Sequence, residues 1–197
     1  MIRNTINPTN KIDSTFLSCE KDAELILRRL FVENRPYSDL LKRLLIIQTK
    51  DCLDNLTEVS YKKKLQEMTV SKLVEEGYIR LAPRIKLEEH EEVKSYILIS
   101  FDNFTPNKSN PEFRDCIVTF DILCNSDCWD VGNYRQRPLK IAGYIDGILN
   151  KTKLTGIGQF LFAGCNQLIL DSNLSGYSLS FWAIHGSDDE IEVKEEE

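Results

Sequence analysis

Five apolar runs between Val93 and His185 set what this chain can fold into: VKSYILISF (93–101), RDCIVTFDILC (114–124), RPLKIAGYIDGILN (137–150), GQFLFAGCNQLIL (158–170) and GYSLSFWAIH (176–185). Four of them read as strands, short runs rich in apolar, β-branched and aromatic residues. The third has helical spacing, with Ile141, Ile145, Ile148 and Leu149 on one side. Pro138 opens that helix, where a missing amide hydrogen costs nothing. The order strand, strand, helix, strand, strand predicts an α+β fold with a ββαββ core. Its sheet is mixed or antiparallel, with about four or five strands.

In the first run Tyr96, Leu98 and Ser100 share one face and Ile97, Ile99 and Phe101 the other. Apolar residues on both faces predict a strand covered on both sides or set at a subunit contact. In the second run Cys116, Val118, Phe120 and Ile122 share a face. Residues 102–113 hold two prolines and three asparagines and read as a long hairpin loop. Residues 125–134 and 151–157 read as loop and turn.

Ahead of this core, residues 1–15 read as a polar extended arm and 16–77 as helical. Leu25, Ile26, Leu30 and Phe31 form an apolar stripe over 22–32. Pro36 interrupts, and Ser38 caps a second helix bearing Leu40, Leu41, Leu44, Leu45 and Ile47. The pair makes a helical hairpin. Further turns over 57–76 stop at Gly77. The reading is one domain over 1–187, with the sheet and helix core at 78–187 and an acidic tail at 188–197.

The net charge of −6 lies in that tail, DDEIEVKEEE; residues 1–187 hold 24 basic and 24 acidic side chains. A neutral body argues against a nucleic-acid reader, which carries a basic face. The tail reads as a solubilising end. With no apolar core in MIRNTINPTNKIDST to act as a signal peptide, the expected compartment is the cytoplasm. Cys19, Cys52, Cys116, Cys124, Cys128 and Cys165 are then reduced and structural. No run approaches the ~20 apolar residues of a membrane helix.

Chemistry-bearing patterns are sparse. Cys124-x3-Cys128 is half of a metal site, and neither His90 nor His185 completes it at ligand spacing. The same two histidines offer no signature for a cysteine nucleophile. Asp115, Asp121, Asp127 and Asp130 read as turn and strand-end residues. Gly156-Ile157-Gly158 precedes a strand rather than a helix, so it reads as a tight turn, not a phosphate loop. Lys62, Lys63 and Lys64 read as a solvated helix face. No catalytic group, metal or cofactor is expected.

Charge suggests contact instead. Arg80, Arg84 and Lys86 form a basic extended segment, broken by Pro83, directly before Glu88, Glu89, Glu91 and Glu92. In a ring of identical subunits a basic patch on one edge faces an acidic patch on the next. Arg135 and Arg137 form a second basic spot suited to an interface. The segments 78–92 and 102–113 are the expected contact loops.

The span from Arg80 to Asp189 resembles the neck and tail-completion proteins of tailed bacteriophages, particularly the tail-terminator type. YILISFDNF and IVTFDILC stand as the paired strands, RPLKIAGYIDGILN as the Arg-Pro-started helix, and LTGIGQFLFAG and YSLSFWAIHG as the closing pair. The larger helical N-terminus and the acidic end depart from the pattern. The resemblance implies a hexameric or dodecameric ring in the virion, assembled in the host cytoplasm without a membrane. Such a ring joins portal and tail proteins, and double-stranded DNA passes through its lumen without sequence recognition. The rivals are a non-viral cytoplasmic adaptor and a hydrolase whose site assembles only in three dimensions.

Overall fold

The computed structural model describes residues 19–34, 36–54, 59–82, 92–109, 113–154 and 158–185. Its helices are α1 (Cys19–Arg28), α2 (Tyr37–Ile46), α3 (Val59–Glu67), α4 (Val70–Glu75) and α5 (Arg137–Leu149). The strands are β1 (Ile79–Arg80), β2 (Ser95–Pro106), β3 (Arg114–Asn125), β4 (Lys153–Leu154), β5 (Gly158–Gln159), β6 (Leu161–Ile169) and β7 (Leu174–His185). Five strands form one mixed sheet in the order β1-β2-β3-β7-β6. Only β1 pairs parallel; β2, β3, β7 and β6 alternate antiparallel. The expected α+β class and ββαββ order hold.

The helices α1, α2 and α5 cover one face of that sheet. Ile97, Ile99, Val118, Phe120, Ile122, Leu179 and Phe181 from the strands meet Ile26, Leu30, Leu41, Leu44, Ile141 and Ile145 there. Phe181 anchors this layer through edge-on contacts with Phe120 at 5.9 Å and Phe160 at 6.0 Å, the geometry aromatic quadrupoles favour. On the opposite face Tyr96, Leu98, Leu123 and Leu174 form a small second cluster. So the first half of β2, Ser95 to Ile99, is buried on both sides within the chain, and the two-faced apolar pattern there needs no subunit contact.

The rest of that second face is open. Its middle is polar: Ser178 donates to Asp121 at 2.6 Å, and Thr119 bonds Ser180 at 3.2 Å. Gly176 sits opposite Leu123, where β7 crosses so close to β3 that a Cβ would collide with the Ile122 carbonyl. A larger residue there would force the two strands apart.

Several expectations need correction. The segment read as a hairpin loop is strand in its first five residues, because β2 extends to Pro106; β3 starts at Arg114, just beyond it. Asn103, at φ +53, supports a shift of register between Asp102 and Thr105 that lets the ribbon continue; asparagine tolerates this left-handed region better than most residues. Helix α2 begins one residue before Ser38, whose buried hydroxyl makes no hydrogen bond. Ser38 is therefore not the cap. A π-helical turn at Arg29–Glu33 extends α1, with the Asn34 amide donating to the Arg29 carbonyl at 2.6 Å. Gly77, at φ +74, does end the α4 segment as expected.

Candidate interaction surface

The residues singled out for contact end in different places. Arg137 is wholly buried and cannot meet a neighbour. Its Nε donates to the Cys128 carbonyl at 2.6 Å; its terminal nitrogens donate to Leu44 and Ile47 at 2.7 Å and Thr49 at 2.8 Å. The carbonyls of Leu44, Ile47 and Thr49 lie around the C-terminus of α2, where an isolated helix leaves its last acceptors unpaired and a cation is favoured. The guanidinium fork thus locks α2 to the start of α5. A surface expectation failed because burial of a charge is invisible without its partners.

Arg80 is half-buried, with its guanidinium lying against Gly77. Glu92 pairs with Lys94 of its own chain at 3.7 Å. Lys94 in turn donates to the Glu76 carbonyl at 2.6 Å and lies over the Tyr78 ring. Arg84, Lys86, Glu88, Glu89 and Glu91, together with His90, lie outside the described residues, as do the arm at 1–15 and the tail at 188–197. Arg135 is exposed.

The cysteine pair Cys124 and Cys128 is buried. The Cys128 thiol donates to the Asn125 carbonyl at 3.3 Å, and Ser95 Oγ lies 3.8 Å from it. Burial pushes the Cys124 thiol up to about 12 and raises that of Cys128. A thiol held protonated in this way is a poor ligand or nucleophile. Among the described residues no group of three or more His, Cys, Asp and Glu side chains could hold a metal ion. No helix among them is long and apolar enough to cross a membrane.

Two surfaces emerge, and the charge pattern marked them only at Arg135 on the rim of the second. The first is the β6 edge. Its nine residues, LFAGCNQLI, contain no charge and no proline, and among the described residues its outer edge has no partner strand. Phe162 is 50% and Ile169 66% exposed, and Leu161 (46%) stands beside Trp182 (47%) on the open face. Natural edges of this length are normally blunted with lysine, proline or a covering element. At the opposite edge β1 pairs β2 only at Ile97 and Leu98. Beyond Leu98 the outer edge of β2 is also without a partner strand among the described residues. The signal in the sequence was the missing charge across β6, a property that apolar periodicity does not register.

The second surface is a groove of about 820 Å³ along the outer side of α5. Tyr37, Tyr134, Leu139 and Tyr144 line it, with Arg135 and Lys140 as its cations and no acid, histidine or cysteine. Gly143 and Gly147 form its floor, with open space where their Cβ atoms would be. Four-residue spacing puts the two glycines on one helix face.

Residues 38–182 match the family described as YomW. No curated protein matches the sequence. The matched span takes in α2 from Ser38, α5 and the sheet as far as Trp182, so the β6 edge and all of the groove but Tyr37 fall within it.

Proposed function

The chain belongs to the YomW family, a phage-associated family, and on that footing we propose that it is a structural virion protein of a tailed phage that works by forming a ring. That ring joins portal to tail as a head-to-tail connector in the neck and extends the conduit for double-stranded DNA. It carries out no reaction of its own. The observation that carries the reading is the uncharged, open nine-residue edge of β6.

Strand direction supports head-to-tail closure. Because β2, β3, β7 and β6 alternate in direction, β6 runs antiparallel to β2. In a cyclic ring every subunit keeps the same sense about the axis. The β6 edge of one copy, laid beside the open half of β2 in the next, therefore continues the antiparallel order. Edge pairing of this kind supplies main-chain hydrogen bonds along the whole contact. The apolar residues Leu161, Phe162 and Trp182 flank it.

Native mass spectrometry of the full chain tests the reading. A closed oligomer is expected, and Leu161→Lys together with Ile169→Lys should return it to monomer without changing its circular dichroism. A wild-type chain that stays monomeric at every concentration, and that builds no ring with phage neck components, overturns it. The adaptor rival predicts that monomer.

A further inference from the structure

We propose that the groove on α5 is the docking site of this chain's own acidic tail, residues 186–197. The observations are chemical, dimensional and topological. The groove carries Arg135 and Lys140 and no acid; the tail, GSDDEIEVKEEE, carries seven acids and one lysine. Body and tail are thus complementary in charge at this place, although the body is neutral as a whole.

Apolar spacing matches as well. Ile191 and Val193 lie two residues apart, so in an extended segment they point the same way about 6.7 Å apart. Gly143 and Gly147 are four residues apart on a helix, a rise of about 6 Å. Two apolar side chains at the strand repeat fall into two glycine gaps at the helical repeat. The walls that receive them are Tyr37, Leu139 and Tyr144, of which Tyr37 and Leu139 are exposed.

Topology sets the direction. The tail leaves β7 at His185, and the neighbouring Ile184 packs against Gly158. The C-terminal end of α5 is close by, since Phe162 donates its amide to Asn150 Oδ1. Twelve extended residues reach about 40 Å, whereas the 13 residues of α5 span about 20 Å. Running antiparallel to α5, the tail sets Ile191 at Gly147, Val193 at Gly143 and Glu195 to Glu197 at Lys140 and Arg135. Those acids also meet the positive end of the helix dipole.

Photo-crosslinking of the full chain, with p-benzoylphenylalanine in place of Ile191, tests this in a mixture of light and heavy isotope-labelled protein. The expected product joins residue 191 to the segment 141–151 within one chain. Its yield should fall about fivefold with Lys140→Glu, the scale of one attraction turned to repulsion. It should vanish with Gly143→Trp, which fills the floor. Products joining light to heavy chains would give the groove to a neighbour's tail and overturn the proposal. So would capture elsewhere on the body, no capture, or a yield indifferent to both substitutions. None of these outcomes depends on whether the chain forms a ring, which native mass reads separately.

Discussion

The guanidinium of Arg137 donates to the main-chain carbonyl of Leu44 at 2.7 Å, across 93 residues of sequence and with no exposure to solvent. With its bonds to Ile47, Thr49 and Cys128, it makes one side chain the joint between the helical half and the sheet half. Arg137→Leu leaves four carbonyls to be satisfied in the interior, and should cost about 3–5 kcal/mol of unfolding free energy. Arg137→Lys should recover only part, because one ammonium cannot reproduce the fork. Urea denaturation checks both, and a loss below about 1 kcal/mol for Arg137→Leu would show the joint to be unimportant.

Ser38 separates two accounts of α2. As a cap, its change to alanine would cost about 1 kcal/mol. In the structure its hydroxyl is buried within the first turn without a hydrogen bond, so Ser38→Ala should leave stability unchanged or raise it. A clear loss in the same denaturation measurement would restore the cap.

That residue also marks the limit of legibility. The strands β2, β3 and β7 and helix α5 were readable because alternation, helical spacing and Pro138 all pointed one way in the same segments. Residues 78–87, broken by Pro83, read as an edge strand, and Ile79–Arg80 is one; its parallel pairing with β2 was not legible, because two residues carry no signal of strand direction. The arginine pair at 135 and 137 looked uniform as charge, yet one member is exposed and the other is the most deeply held cation in the core. What decided between them was the set of carbonyls at the end of α2, distant in sequence. The β6 edge was written in an absence of charge and the floor of the α5 groove in an absence of side chains; charge marked only Arg135 on the groove's rim.

Two glycines should respond in opposite directions to the same substitution. At Gly176 a methyl group collides with the Ile122 carbonyl, so Gly176→Ala should cost about 3 kcal/mol or more as β7 is pushed off β3. At Gly143 the space is open and the backbone helical. Lower chain entropy at Gly143→Ala should therefore contribute about 0.5–1 kcal/mol of stability, offset only by the contact that Val193 of the docked tail gives up at that gap. Thermal melts of the two variants give the comparison, and equal shifts would contradict the packing.

Alkaline pH should weaken the fold through two buried thiols. Burial is the first cause that pushes Cys116 and Cys124 up to about 12 from an ordinary value of 9.0. Nearby acids, led by Asp22, add to it at Cys116, whereas the hydrogen bond from Ser95 opposes it at Cys124. Below pH 9 both thiols are protonated whether the chain is folded or not, and they add no pH dependence. Above it the unfolded chain releases these protons while the folded chain keeps them, so the unfolded state gains. Stability should fall between pH 9 and about 12, by up to about 1.4 kcal/mol per pH unit for each thiol. Lysines and tyrosines titrate in the same window, so the diagnostic is a difference between variants. Cys124→Ala lowers stability at neutral pH by opening a cavity, yet its decline from about pH 9 upward should be shallower than that of the wild type by one thiol's share. Parallel decline in the two proteins would mean that Cys124 ionises as readily inside the fold as outside it.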